Sequence, residues 1–328
     1  MIQTLVEWFS VVQGWLFQSA ILPFLYATGL GDVTEEAFTG TEWFLLGVVE
    51  LAMLYLLLRP LEAWIPAKPD IDPKARRIDF LYTCIHRLGA FTVAVFFLLD
   101  PLFDAVASQL HMSGITHFDV EHLWPGVTDM PLVSFGIYLV VLDFFDYWYH
   151  RASHQFDWWW GLHSLHHSQT DMNLWSDNRN HLLDDLLRDV YLAVVAMVIG
   201  VEPAQYVLLI VASRMLQSLQ HANVRLHFGR IGERLLVSPR YHRTHHAIGV
   251  GHETDGAGTL GGHNFAVLFP IWDIVFGTAL FSSKFETVGV RDQLPAPLGE
   301  GRNYGRGFWE QQWLGLKRMV EFTRRKPG

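Results

Sequence analysis

Histidine is the residue with the most chemistry to offer in this chain, and its spacing repeats. The segment DYWYHRASH sets His150 and His154 four residues apart, which on a helix stacks both imidazoles on one face, one turn apart. WWWGLHSLHH follows with His163, His166 and His167, and SPRYHRTHHA supplies His242, His245 and His246. The last two are H-x-x-H-H, whose i, i+3 and i+4 positions can converge on an ion from a single helical turn. With 17 histidines in 328 residues, two such motifs arise by chance in about one random chain in a thousand. A run of core or surface histidines, each satisfied by its own hydrogen bond, would not need that spacing.

Ligand type narrows the ion. Imidazole suits Zn, Cu, Fe and Ni, and no carboxylate belongs to the repeats. The single cysteine, Cys84, excludes a disulfide within the chain, a Cys-ligated iron–sulfur cluster and a zinc ribbon. A structural zinc takes four ligands, whereas the three boxes hold eight histidines, so two metals are implied. Two irons sharing a histidine cage could divide the reduction of O₂ and attack an unactivated C–H bond; zinc has no redox chemistry. A di-zinc hydrolase stays open on ligand count, although such sites usually recruit Asp or Glu as well.

The elements that must position these residues are apolar. Half the residues are hydrophobic, 14% are aromatic, only 17% are charged, and mean hydropathy is +0.18, which points to lipid as the solvent. Spans are expected at about 5–28, 43–59, 80–103 and 131–149, each near the ~20 residues that a bilayer core requires. Gly200 and Pro203 split the apolar stretch 189–215 into two half-helices, expected to dip into the membrane as a hairpin. The run 264–282, interrupted by Pro270 and Asp273, reads as buried or interfacial. Basic residues cluster in loop 59–79 and after Trp148, while loops 29–42 and 99–130 hold none. The positive-inside rule then puts the N-terminus and the histidine boxes on the cytoplasmic side. The first apolar run lacks a basic n-region and reads as retained. A net charge of −9 excludes a nucleic-acid partner. The fold class expected is all-α: a polytopic membrane helical bundle with a cytoplasmic helical cap carrying a histidine-rich di-metal site. One domain, 1–328, is divided into N-terminal spans (1–130), a catalytic core (131–282) and a C-terminal amphipathic tail (283–328), the tail helix being a solvated one lying on an anionic surface.

The boxes H-x₃-H, H-x-x-H-H and H-x-x-H-H, in that order across the spans, resemble the fatty acid hydroxylase/sterol desaturase superfamily. LQHANVRL resembles that family's His-Ala-Asn element, and NFAVLFPIWDIVFGT its closing Asn-(Tyr/Phe)…Trp-Asp…Phe-Gly-Thr element. The resemblance covers roughly residues 131–280. It implies a di-iron site formed by the eight box histidines, with His221 and then His181 as added ligands, making ten. His227 and His263 are left out. His111, His117 and His122 read as surface residues of an outer loop, and His86 as interfacial or supporting. Asp143, Asp146, Asp184 and Asp185 are candidates to accept the outward N–H of ligating imidazoles; Asp143 could instead be an interfacial acid paired with Arg151 or Arg179. Trp158, Trp159 and Trp160 read as an interfacial aromatic belt.

The function implied is O₂-dependent hydroxylation of a lipid C–H bond (fatty acyl, sterol-like or ether lipid), with desaturation by the same site as the alternative. No haem, flavin, nicotinamide or iron–sulfur motif is present, so electrons are expected from a separate electron-transfer protein or a reduced pterin. A divalent-metal transporter is the alternative of another class, but no ligand sits on the Gly200–Pro203 break where such a device would hold one.

Overall fold

The computed structural model describes residues 2–91, 105, 108–109, 112–114, 120–250, 262–295 and 301–324. Among them the chain is helical, with isolated bridges only at Pro66–Val224 and Ala247–Val288. Helix α1 (Ile2–Leu16) runs through a π-helical turn at Phe17–Ile21 into α2 (Leu22–Thr28). The second long helix, α3 (Thr34–Trp64), packs beside α1.

Three stretches of the described residues are helical, long and apolar enough to cross a membrane: Val6–Thr28, Gly31–Trp64 and Pro131–Gln155. Their outward apolar side chains, such as Val11, Trp15, Leu56 and Leu57, are exposed, as expected where lipid is the solvent. The 34 residues of the second extend roughly 51 Å at ~1.5 Å per residue, well beyond a hydrocarbon core of ~30 Å. The expected span 43–59 lies within it. Near its C-terminal end Leu54 and Leu58 pack on Leu174, Trp175, Ala222 and Val224 beside the histidine boxes.

The span expected at 80–103 is only partly described. Residues 80–87 belong to α4 (Pro73–Arg87), which starts earlier because Asp72 caps it, accepting from Lys74 N at 2.9 Å, with Pro73 at the first position. Its buried face is polar (Asp79, Tyr82, Thr83, His86, Arg87), so that face meets protein. Residues 92–103 of that span lie outside the described residues, as do His111 and His117.

The next long helix is α5 (Pro131–Gln155), apolar at first and then burying polar residues from Asp143 onward. Phe156 breaks the chain into α6 (Asp157–His167). Helices α7 (Leu182–Val198) and α8 (Pro203–His221) form the expected pair, turning at Gly200 with φ 76°, a left-handed value that favours glycine. Tyr138, Leu142, Ala196 and Leu209 bind α5, α7 and α8 into one core. Two short helices follow, α9 (Gly229–Leu235) and α10 (Pro239–His245). The 264–282 run is an irregular buried segment with one short helix, α11 (Ile271–Val275).

The tail expectation needs correction. Helix α12 (Phe308–Thr323) is amphipathic, but its inner face docks on α6 and touches α4. Arg318 Nε donates to Gly161 O at 3.1 Å, and Gln312 bonds Tyr82, Asn180 and Leu182. Buried polar side chains with fixed partners make it part of the core wall rather than a solvated appendage.

Candidate metal centre

Four helix ends converge on one buried point. The last turns of α5 present His150 and His154, and the C-terminal turn of α6 presents His163, His166 and His167. His221 is the final residue of α8. Helix α10 presents His242 and His245, with His246 at its end. So short a helix needs its cap: Ser238 Oγ accepts from Tyr241 N at 3.1 Å and Pro239 opens the first turn.

The nine imidazoles divide into two groups of four plus one between them. His150, His154, His167 and His245 each offer a nitrogen within 4.8 Å of the others, and so do His166, His221, His242 and His246. His163 stands between the groups, its ring 5.0 Å from that of His154 and 5.5 Å from that of His166. In the second group His221 Nε2 lies 3.1 Å from His166 Nε2 and 2.9 Å from His242 Nε2, and His246 Nε2 lies 3.1 Å from His242 Nε2. A neutral imidazole carries one N–H, and four rings facing inward share too few protons to satisfy one another. Buried nitrogens of His163, His166, His167, His242, His245 and His246 have no hydrogen-bond partner. That pattern fits a cation, and an all-imidazole donor set fits iron, zinc, copper or nickel.

Four of the outward nitrogens are tied down. His150 Nδ1 faces Phe265 O at 2.8 Å, His221 Nδ1 faces Gln217 O at 2.8 Å, and His245 Nδ1 faces His263 O at 2.7 Å. His163 Nδ1 faces the Asp184 carboxylate at 2.9 Å. Each contact puts the ring proton on Nδ1 and leaves Nε2 as the inward lone pair. Burial, and then the neighbouring imidazoles, hold His166, His167, His242 and His246 well below the usual histidine range. Burial takes His245 down to about 3. The rings are therefore neutral, as ligation requires.

Of the ten residues singled out from sequence, the structure gathers nine: the eight box histidines and His221. His181 stands apart. Its Nε2 is 2.9 Å from Gln312 O and its Nδ1 accepts from Leu183 N at 3.1 Å. Both nitrogens serve the backbone, so it caps α7 instead of joining the cluster. His227 is exposed and accepts from Gly229 N, and His122 is exposed. His86 is buried near Asp185, Nε2 to carboxylate 3.3 Å, at the edge of the cavity beside the cluster.

The tryptophans split, against the reading of one belt. Trp158 is exposed, Trp159 Nε1 donates to Asp184 at 2.7 Å, and Trp160 is buried with its ring 5.0 Å from His154 and 5.2 Å from His167. Among the acids, Asp184 is the one that takes an imidazole proton. Asp143 accepts from Leu268 N, Phe269 N and Trp272 Nε1 at 2.7–3.0 Å rather than pairing with Arg151 or Arg179, and Asp146 pairs with Arg188. Asp143 thus pins the closing segment to α5.

The flanking elements have a physical role that spacing does not convey. Asp273 accepts from Phe265 N at 2.8 Å, Ala266 N at 2.9 Å, Thr278 Oγ1 at 2.6 Å and Tyr241 OH at 3.0 Å. Asn264, at φ 60°, bonds Tyr241 O and both polar backbone atoms of Leu280. Together they aim the carbonyls of His263 and Phe265 at His245 and His150. Asn223 similarly fastens Lys68 N and O, while its own N–H donates to Glu62. A buried knot that the sequence analysis missed joins Arg87 to Glu50, Asp177, Asn178 and Ser218 behind His221. Its members are far apart in the chain, and no motif marks them.

A sequence model of the fatty acid hydroxylase family matches residues 135–278, the segment that carries every histidine of both groups. The chain is 30% identical over 160 residues to alkylglycerol monooxygenase of Homo sapiens, covering 49% of this chain and 33% of that protein. It is 25% identical over 201 residues to the ornithine lipid hydroxylase OlsE of Rhizobium tropici, covering 61% of this chain and 56% of that protein. Over residues 135–278 this chain is similar to the fatty acid hydroxylase superfamily. It spans between a third and somewhat over half of the length of those two relatives. No solved structure matches it. The matched boundaries agree with the stretch over which the histidine boxes and flanking elements resemble the family.

Proposed function

We propose that this protein is a member of the fatty acid hydroxylase superfamily, a membrane-embedded oxidoreductase that hydroxylates a C–H bond of a lipid using two irons and O₂. The observation that carries this reading is the pair of four-histidine groups, buried side by side, in which Nε2 of His167 and of His245 has no partner and the Nε2 atoms of the second group face one another. Bound iron would supply the redox chemistry that reduces O₂ and breaks an unactivated C–H bond. One oxygen atom enters the lipid and the other leaves as water, so two electrons and two protons must arrive from an external donor, a protein or a reduced pterin. His150, His154, His167 and His245 would hold one ion; His166, His221, His242 and His246 the other, with His163 available to either.

The remaining work falls to the protein's own groups. Asp184 keeps the His163 proton on Nδ1, and the carbonyls of Phe265, Gln217 and His263 do the same for His150, His221 and His245. Phe265 and Trp160 cover the cluster with apolar surface, which limits water at the site. The names of the relatives, a monooxygenase and a hydroxylase of lipids, support a lipid substrate. The long apolar helices support a membrane location, and the distribution of Lys and Arg supports a multi-pass arrangement with boxes and N-terminus in the cytoplasm.

The test is purification of the full chain in lipid nanodiscs, metal analysis, and assay for O₂-dependent lipid oxidation after iron loading. Two irons per chain and an oxygenated lipid are expected. His245→Ala should lose metal and activity together while still inserting. A chain that loads only zinc and oxidises no lipid with iron restored would refute the reading.

A further inference from the structure

A continuous line of short contacts joins the protein surface to the metal centre along the start of α6. Trp158 is 39% exposed and sits beside the exposed, polar Gln155 and Asp157. Its ring stacks on that of Trp159, with centroids 5.2 Å apart and planes 19° from parallel. Trp159 Nε1 donates to one oxygen of Asp184 at 2.7 Å, and the other oxygen faces His163 Nδ1 at 2.9 Å. His163 is the imidazole that stands between the two four-histidine groups, its ring 5.0 Å from that of His154 and 5.5 Å from that of His166.

The order of groups along this line has a redox use. Indole is an electron-rich π-system whose N–H is a donor only, while a carboxylate accepts at both oxygens. When such a ring loses an electron its N–H becomes a strong acid, and the hydrogen bond to Asp184 gives that proton a place to go. The same carboxylate holds the outward N–H of a ligating imidazole, so hydrogen bonds connect the indole to the metal centre without a gap. Trp160 differs. Its ring is 5.0 Å from that of His154, but it is buried and packs among Val290, Tyr304 and Phe322. Trp159 is the indole bonded to a ligand's partner and stacked on an exposed neighbour.

We propose that Trp158, Trp159 and Asp184 form an electron path that discharges the metal centre when O₂ has been reduced there and no lipid C–H bond is in place. The inference rests on the reading of the protein as an O₂-dependent lipid oxidase. Trp159 gives one electron through Asp184 and His163 to the oxidised centre, and its indole proton moves along the hydrogen bond to the Asp184 oxygen. A neutral indolyl radical is left. An electron from a water-soluble reductant of the ascorbate class, entering at Trp158, refills the ring, and the proton returns to Nε1. Two such passages, with two protons from water, turn the oxygen atom that would have entered the lipid into water. The tryptophans end unchanged, and the ligand histidines are spared oxidation.

The experiment uses the iron-loaded full chain in detergent without added lipid. Hydrogen peroxide, which is O₂ with two electrons and two protons already added, serves as oxidant, and samples frozen at successive times are read by electron paramagnetic resonance. A radical signal is expected whose hyperfine pattern changes when the chain carries ring-deuterated tryptophan. Trp159→Phe, compared at equal bound iron, should lose that signal and show more oxidised histidine in its box peptides by mass spectrometry. Trp158→Phe should keep the signal and slow its decay with ascorbate present. The zinc-loaded chain should give no signal. A signal that survives Trp159→Phe, that responds to deuterated tyrosine instead, or that appears with zinc would overturn the proposal, as would unchanged decay in Trp158→Phe. Should Trp159→Phe not accumulate, the isotope pattern and Trp158→Phe decide in its place. Oxygenated lipid from a chain that forms no tryptophan radical refutes the path and leaves the oxidase reading standing. The radical without any O₂-dependent lipid product supports the path and counts against that reading.

Discussion

Asp184→Asn isolates the contribution of a carboxylate to a ligating imidazole. In the folded chain one oxygen of Asp184 accepts from Tyr149 OH at 2.9 Å and Trp159 Nε1 at 2.7 Å, and the other faces His163 Nδ1 at 2.9 Å. Burial pushes this carboxyl up, but the hydrogen bonds and charge from His163, with Trp159 and Tyr149, outweigh it and hold the group below the usual carboxylate range. The aspartate is therefore an anion surrounded by donors. An asparagine of the same shape must turn its NH₂ toward one of them. If it faces His163, the ring proton is driven to Nε2, the nitrogen that has no protein partner, and a protonated nitrogen cannot ligate. Loss of such a supporting partner costs about 10- to 100-fold in metal affinity, or about 1.4–2.7 kcal/mol. The lost charged hydrogen bonds destabilise the fold on the order of 1–3 kcal/mol. The assay is iron retained per chain against a graded chelator, with thermal unfolding in parallel. A variant that keeps iron as tightly as the unmodified chain would refute the assignment of Asp184 as the proton acceptor that orients His163.

Acid should weaken the metal-free chain. His166, His167, His221, His242 and His246 are held below the ~6.5 of an unfolded histidine, with His245 at about 3. Between those values the unfolded chain binds more protons, so stability falls as pH falls from about 6.5 toward 3. Thermal unfolding at pH 7.5 and pH 5 measures this, and bound metal should reduce the loss; equal midpoints at the two pH values would contradict it. His181→Ala should keep its full metal content while costing about 1–2 kcal/mol through loss of the α7 cap; a fall in metal would return His181 to the ligand set. Gly161→Ala should loosen α12, because an added Cβ would sit 2.5 Å from Met319 N and 2.6 Å from its Cα. The backbone must move, at about 1–3 kcal/mol, and faster proteolysis of the segment after Tyr304 is the readout.

The sequence alone determined whatever local geometry controls. Spacings of three and four put His150 and His154, His163 to His167, and His242 to His246 on single helical turns wherever those helices go. The long apolar runs and the Gly200–Pro203 turn are legible for the same reason: hydropathy and backbone freedom are read within one segment. Tertiary structure decided the rest. Neither four-histidine group is one box: His150 and His154 combine with His167 and His245, while His166 joins His221, His242 and His246. Which imidazole shares an ion with which depends on helix packing across about a hundred residues of chain. His181 is the sharpest case, since its motif resembles that of a ligand. Only the docking of α12, which brings Gln312 O within 2.9 Å of its ring, turns it from the metal centre to the backbone. A contact between residues 131 positions apart leaves no trace in local spacing, because it is made by two surfaces that meet only when the chain has folded.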